Sequence, residues 1–364
     1  MRILWLAHRD LRHPRSGGAE RAAFEITRGL ARRGHSVLWV VGGAPGLPAR
    51  EFQDGVELRR VPGPISEHAL VPLFTHAAPR PDVVVEDLDH VVPWGSSRFT
   101  RAPRVAFFHH LHARTLAGQL PAPFDGVLRA LERRYPRTLA DATFVVTSEQ
   151  SRGDLVALGV PIDRVEVVPL GVDAGRFRPG PRDDPPTVLY FGGLKPYKRP
   201  DHALRAFAAL RSTGDAARLA VLGNGPLLAE LKRLARALDV EASVEFAGRV
   251  NDDALAGWIS RARLNLHCAV SEGWCLSALE AAAGGVPTAA YDVPGMRAVV
   301  RDGQTGSLSP DSDLASLIEG ARRLLRGDAS SISAACQELA RSLTWERCAA
   351  GWESHLSLVT HRGS

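Results

Sequence analysis

The feature that most constrains this chain is a rhythm that runs twice. Short runs of β-branched and aromatic residues alternate with stretches whose apolar residues recur every three or four positions, and a proline- and glycine-rich segment separates the two series. In the first series the runs at 3–7, 37–41, 56–61, 82–85, 105–108, 144–147 and 165–168 read as strands. Ala22, Ala23, Ile26 and Leu30 place one apolar stripe on a helix over 19–33 that stops at Gly34. In the second series strands are expected at 188–191, 219–222, 244–246, 264–267 and 287–290, with helices at 201–210, 227–238, 253–260, 276–283, 314–326 and 332–342. Strands alternating with helices point to doubly wound α/β domains with parallel sheets.

The predicted organisation is an N-terminal Rossmann-like domain over 1–170, a linker over 171–186 and a second Rossmann-like domain over 187–344. A last amphipathic helix, about 345–364, carries Trp345, Cys348, Trp352, Leu356 and Val359 on one stripe and is expected to pack back on the first domain. A length of 364 residues exceeds what one core serves. In open α/β sheets ligands bind where strands lead into helices, so a cleft between two such domains is the expected site.

Composition narrows the class. Hydrophobic residues make up 45% and charged residues 23%, as in globular proteins, and no apolar run reaches membrane-spanning length. The opening residues, Met1 to Leu6, are apolar too briefly for a signal peptide. Cys268, Cys275, Cys336 and Cys348 form neither a CxxC pair nor a metal-ligand spacing, which favours buried thiols in a reducing compartment; a cytoplasmic protein is expected. The net charge of +5 suits an anionic ligand or an anionic membrane surface. Aromatic residues are only 6%, and no zinc-finger spacing or aromatic RNA-binding block occurs, so no nucleic acid partner is expected.

The motifs fall on strand-to-helix loops. Glu272 and Glu280 stand either side of a glycine turn and the start of a helix, through Gly273, Trp274, Cys275, Leu276 and Ser277. A helix N-terminus offers free N–H groups and partial positive charge to a phosphate, and flanking carboxylates accept sugar hydroxyls. Gly17-Gly18 opens the first helix, where a backbone can approach a diphosphate closely. His109, His110 and His112 close a buried strand, with a spacing awkward for one metal ion. A basic loop, Gly192-Gly193-Leu194-Lys195-Pro196-Tyr197-Lys198-Arg199, follows the first strand of the second series and can neutralise a phosphate.

These residues, in this order, resemble the retaining glycosyltransferases of family 4, which have the GT-B fold; their E-x7-E signature matches Glu272 and Glu280. Arg33-Gly34-His35-Ser36-Val37, Gly223-Asn224-Gly225-Pro226, Asp292-Val293-Pro294-Gly295 and Asp302 to Gly306 match further landmarks of the family. The resemblance implies catalytic roles for His109, Lys198 and Glu272, with His110 the alternative histidine, assigned to the acceptor. It implies donor contacts from Gly17, Gly18, Gly193, Arg199, Arg249 (in the loop whose backbone reads the base), Trp274, Cys275, Leu276, Ser277 and Glu280. It further implies a nucleotide-sugar donor, UDP- or GDP-linked, as a substrate, and neither cofactor nor metal. The chain departs from the family at Gly193, where arginine is usual, and Lys195 or Arg199 is left to supply that charge. At Cys275 glycine is usual, and a non-glycine there is expected at negative φ.

Asp87-Leu88-Asp89, a triplet that holds metal in the other glycosyltransferase fold, reads as incidental. Arg129, Arg133, Arg134 and Arg137 beside Val127, Leu128, Leu131 and Tyr135 suit a solvated helix or an anionic membrane. The acceptor (a secondary metabolite, a saccharide or a lipid) is expected against loops 11–15, 63–74 and 110–124. A catalytically inactive sugar-nucleotide-binding protein and a nucleotide-sugar epimerase of the same fold are the alternatives. Oligomeric state leaves no mark in the sequence.

Overall fold

A computed structural model describes residues 1–62, 71, 80–115 and 124–362. Most of the two acceptor loops expected at 63–74 and 110–124 therefore lies outside the described residues. Contacts divide the chain into two compact units, Met1–Leu170 with Trp345–Ser364, and Gly171–Thr344.

Among the described residues of the first unit, eight strands form one sheet: β1 (Arg2–Leu6), β2 (Ser36–Gly42), β3 (Arg50–Gln53), β4 (Val56–Val61), β5 (Val83–Leu88), β6 (Arg104–Phe108), β7 (Ala142–Val146) and β8 (Val165–Val167). Their order is β3-β4-β2-β1-β5-β6-β7-β8, and all pairs are parallel except the β3–β4 hairpin. The chain steps from β1 to β2 on one side and later to β5 on the other, so a topological switch point lies between β1 and β5. Central strands are buried on both faces; β5 and β6 are buried throughout, the charged Glu86, Asp87 and Arg104 included.

The helix Gly18–Arg32 turns Ala22, Ala23, Ile26 and Leu30 inward. It ends in a Schellman motif: Gly34, at φ +88°, donates to Ala31, and His35 donates to Leu30. The terminal helix Trp345–Arg362 lies against it. Trp352 is fully buried and packs at 5.0 Å on both Trp5 and Phe107. His35 and Arg33 bond Glu353, and His355 lies 2.9 Å from the Thr143 hydroxyl.

The second unit carries β9 (Thr187–Phe191), β10 (Arg218–Leu222), β11 (Val244–Gly248), β12 (Ala262–His267), β13 (Thr288–Tyr291) and β14 (Gly306–Ser309), all parallel, in the order β11-β10-β9-β12-β13-β14. Here the switch point lies between β9 and β12. Residues 171–186, expected as a linker, are pinned to this unit: Gly180 and Asp183 donate backbone bonds to Ser260 and Arg261, and the Arg182 guanidinium gathers the carbonyls of Ile259, Ser260, Ala262, Gly284 and Gly285. A half-buried guanidinium that satisfies so many carbonyls explains why a stretch without periodicity is ordered.

Candidate functional site

The described site residues fall on loops that follow strands: Gly17 after β1, His109 after β6, Lys198 after β9, Arg249 after β11 and Glu272 after β12. In the second unit backbone hydrogen bonds hold the start of the loop after β9. Gly192 donates to Leu222 at 2.9 Å, Leu194 to Asn224 at 3.0 Å, and Leu227 back to Leu194 at 3.2 Å. A Cβ on Gly223 would collide with the Gly192 carbonyl, and one on Gly225 would lie 2.7 Å from the Leu194 carbonyl carbon. The Gly223–Pro226 turn is therefore glycine-rich because it packs backbone to backbone against the basic loop.

That rigid loop delivers Lys198, in a short 3-10 turn, to Glu272. The Glu272 Oε1 accepts from the Lys198 ammonium and lies 2.8 Å from His267 Nε2. Glu272 is itself fixed from behind. Its amide donates to Pro294 at 3.1 Å, and Gly295 sits at φ +80° so close that a Cβ would reach 2.7 Å from the Glu272 carbonyl carbon. Cys275 Sγ lies 3.6 Å from His267 Nε2, and Ser277 Oγ lies 3.4 Å from its Nδ1. Cys275 caps the helix Leu276–Ala283 at φ −93°, the negative value expected of it. The first intrahelical bond runs from the Leu279 amide to Cys275, so the amides of Leu276, Ser277 and Ala278 lead the helix toward this cluster without a partner inside it. Glu280 is half-buried one turn further along. The Trp274 indole N–H is buried with no acceptor among the described residues.

The electrostatics follow from this packing. Burial opposes the Glu272 charge, yet Lys198 and His267 hold its carboxyl down at about 2. Burial opposes the Lys198 charge too, and Glu272 holds that ammonium well above its ordinary value. His267, pulled down by burial, is pushed up to about 9 by Cys275 and Glu272. The result is a half-buried carboxylate between two cations at the head of a helix, a concentration of positive charge suited to an anion.

Arg199 sits in the left-handed region at φ +45° and spends its guanidinium on Asp311, at 2.6 Å, while lying over the Tyr291 ring. The Lys195 stem runs beside Gly193, where a Cβ would meet its Cε at 3.6 Å. Arg249 is exposed at the end of β11. Among the described residues His267, Glu272 and Cys275 offer metal-type ligand atoms within 4.8 Å of one another. The Lys198 ammonium already occupies the same Glu272 oxygen, so a divalent ion there would face a cation at contact distance.

In the first unit Gly17 caps the helix Gly18–Arg32, but its amide donates to Glu20 Oε2 at 2.7 Å. A phosphate at this loop would have to share or displace a buried carboxylate. His109 follows β6 and is buried. Its Nε2 lies 2.7 Å from Asp87 Oδ1, while Trp5 Nε1 donates to Asp87 Oδ2 at 3.1 Å. His110 is half-buried, with its ring 5.1 Å from that of His112. His112 opens a short helix, His112–Thr115, whose first amide donates to Glu132 at 2.6 Å. The arginine-rich stretch breaks into helices Phe124–Glu132 and Tyr135–Thr138, with Arg129, Arg133, Arg134, Arg137, Phe124 and Val127 exposed. Sequence reasoning missed His267 and Asp87. Each ends or nearly ends a buried apolar strand, and that was the available signal.

Comparisons with known proteins bear on the family and the fold. The family model described as Glycosyltransferase Family 4 matches residues 16–176, and that described as Glycosyl transferases group 1 matches 172–342. A D-inositol 3-phosphate glycosyltransferase of Catenulispora acidiphila is 30% identical over 311 residues, covering 74% of this chain and 70% of that protein. Alignments to two other curated relatives span 52% and 20% of those proteins' own lengths, so their whole activities do not carry across. Sucrose-phosphate synthase from Thermosynechococcus elongatus shares the fold with a TM-score of 0.83 at 20% identity, covering 99% of both chains. Anabaena HepE, solved with UDP-glucose, does so at 0.77 and 19%, covering 98% of this chain and 99% of that one.

Proposed function

The chain belongs to the group 1, family 4 glycosyltransferases, and from that premise we propose that it moves a hexosyl group from a UDP- or GDP-sugar to an acceptor hydroxyl, with retention at the anomeric carbon. The observation that carries this reading is the Lys198–Glu272–His267 cluster at the head of the helix Leu276–Ala283. The leading amides of that helix and Lys198 would bind the donor diphosphate. Lys198 would then stabilise the charge that grows on the phosphate as the glycosidic bond breaks. Glu272 accepts hydrogen bonds from sugar hydroxyls, and Glu280 from the ribose. His109 contacts the transferred sugar near its anomeric carbon. No carboxylate stands assigned as a nucleophile; the acceptor attacks the face the diphosphate leaves, and the leaving phosphate takes the acceptor proton. The reading uses neither metal nor cofactor, and places the protein in the cytoplasm. The exposed arginines with Phe124 and Val127 support peripheral contact with an anionic membrane.

The test is a thermal-shift and hydrolysis screen against UDP-, GDP-, ADP- and dTDP-sugars without added metal, with inositol phosphates, saccharides and lipids as acceptors. Stabilisation by one nucleotide series with slow hydrolysis is expected. Isomerised donor without acceptor would favour an epimerase. Binding with neither hydrolysis nor transfer to any acceptor would favour an inactive binding protein, the reading that Gly193 supports. No response to any nucleotide would overturn the donor site.

A further inference from the structure

The carboxylate of Asp87 is a buried charge that the proposed reaction does not use. It is 1% exposed, in the interior of the first unit. Both of its oxygens are committed, Oδ2 to the Trp5 indole and Oδ1 to His109 Nε2. Strands β5 and β6 are parallel neighbours with Asp87 opposite Phe107, so the register carries Asp87 to the ring that follows β6. The Phe107 ring lies 4.2 Å from the imidazole, and the Ser151 hydroxyl donates to the His109 carbonyl at 3.3 Å.

We infer that Asp87 is a positioning residue acting through His109: by binding Nε2 it fixes the ring's orientation and favours its protonated form, leaving Nδ1 to meet substrate. This rests on the reading that His109 touches the transferred sugar. A histidine whose far nitrogen is bound by a buried carboxylate presents one defined atom to its ligand. A lone buried carboxylate is costly, whereas a carboxylate–imidazolium pair is neutral, so the pair favours a protonated ring whose Nδ1–H donates to a sugar oxygen. The surroundings agree in direction. Burial pulls His109 down, but Asp87, Asp89 and Glu20 together hold it above its ordinary value. Asp87 rises to about 6 through burial and is restrained by His109. The other charged groups nearby have partners of their own: Asp89 takes the His90 ring and the His8 amide, and Glu20 faces Arg9 at 3.7 Å.

The experiment uses the full chain labelled with 15N-histidine, with His109 assigned by difference from His109→Gln. Wild type should show both ring nitrogens of His109 protonated at pH 7.5. Asp87→Asn should move that titration down by more than one pH unit, leaving a neutral ring at pH 7.5. With UDP-glucose as probe, hydrolysis by Asp87→Asn should fall about 100-fold in kcat at pH 8 with KM nearly unchanged, and the loss should shrink as pH falls toward 6. A purely structural role would lower the rate equally at every pH. Added to His109→Gln, Asp87→Asn should cost nothing more. A neutral His109 in the wild type, an unmoved titration in Asp87→Asn, or additive losses in the double variant would overturn the inference. Full activity in His109→Gln would overturn the role given to the ring itself, and the positioning role with it. If Asp87→Asn does not fold, the wild-type titration decides alone.

Discussion

Replacing Glu272 by Gln keeps the shape of the side chain and removes the charge that Lys198 and His267 share. The wild-type carboxyl sits at about 2 against 4.5 unperturbed. At about 1.4 kcal/mol per pH unit, that difference corresponds to about 3 kcal/mol of stabilisation at neutral pH. Because the folded value lies below the unfolded one, this stability is full above about 4.5 and is lost as pH falls through about 2. The variant also leaves Lys198 a half-buried cation without its anion, which adds to the cost. The loss should appear locally, so the assay is hydrogen exchange at the amides of Leu279 to Ala283 and of β12, with urea unfolding as a second measure. Protection at pH 7 should fall by roughly 100-fold, the equivalent of about 3 kcal/mol, while the eight-stranded sheet of the first unit keeps its own. Below pH 4.5 the gap between wild type and variant should close by about 1.4 kcal/mol per unit. Donor turnover should fall at least 100-fold at pH 7. Unchanged protection together with wild-type turnover would refute both the ion pair's contribution and the assignment of Glu272.

Gly295→Ala should cost about 1–3 kcal/mol through overpacking and positive-φ strain and should weaken nucleotide-sugar binding, read by calorimetry, because its methyl would press on the Glu272 carbonyl. His267 lies at about 9 against 6.5, so its contribution is full below about 6.5 and is lost as pH rises through about 9; urea midpoints of the second unit should fall across that window, and His267→Gln should flatten the trend. Trp352→Ala should destabilise the first unit by about 3–5 kcal/mol in thermal unfolding, since its ring is packed on Trp5 and Phe107. Vesicles containing phosphatidylserine should sediment the protein at low salt, and a variant with glutamine at Arg129, Arg133, Arg134 and Arg137 should lose most of that binding.

The strands with a β-branched core were legible, because burial on both faces leaves an uninterrupted apolar run. Two others were not. β3 is Arg-Glu-Phe-Gln, a polar edge held by its hairpin with β4, and β14 is Gly-Ser-Leu-Ser, recruited by pairing with β13 rather than by its own propensity. The site divides in the same way. The helix head at Cys275–Ala278 and the basic loop are local in sequence, and both could be read from residue order. The pairs Asp87–His109, Lys198–Glu272 and Arg199–Asp311 join residues between 22 and 112 positions apart, and only strand order brings them together. For the same reason Asp87 read as part of an incidental triplet, and Arg199 as a free cation for the donor.

The terminal helix sets a schedule for synthesis. Trp5 and Phe107 emerge early from the ribosome, but the residue that covers them, Trp352, comes only after all of Gly171–Thr344 has been made. At about 5–20 residues per second, that wait is on the order of ten seconds or more. Through it the nascent first unit carries an open apolar seam beside the strand that leads to His109. A ribosome stalled, or a message truncated, before codon 345 would therefore release an intact second unit joined to a first one that cannot close, a natural substrate for chaperones and proteases.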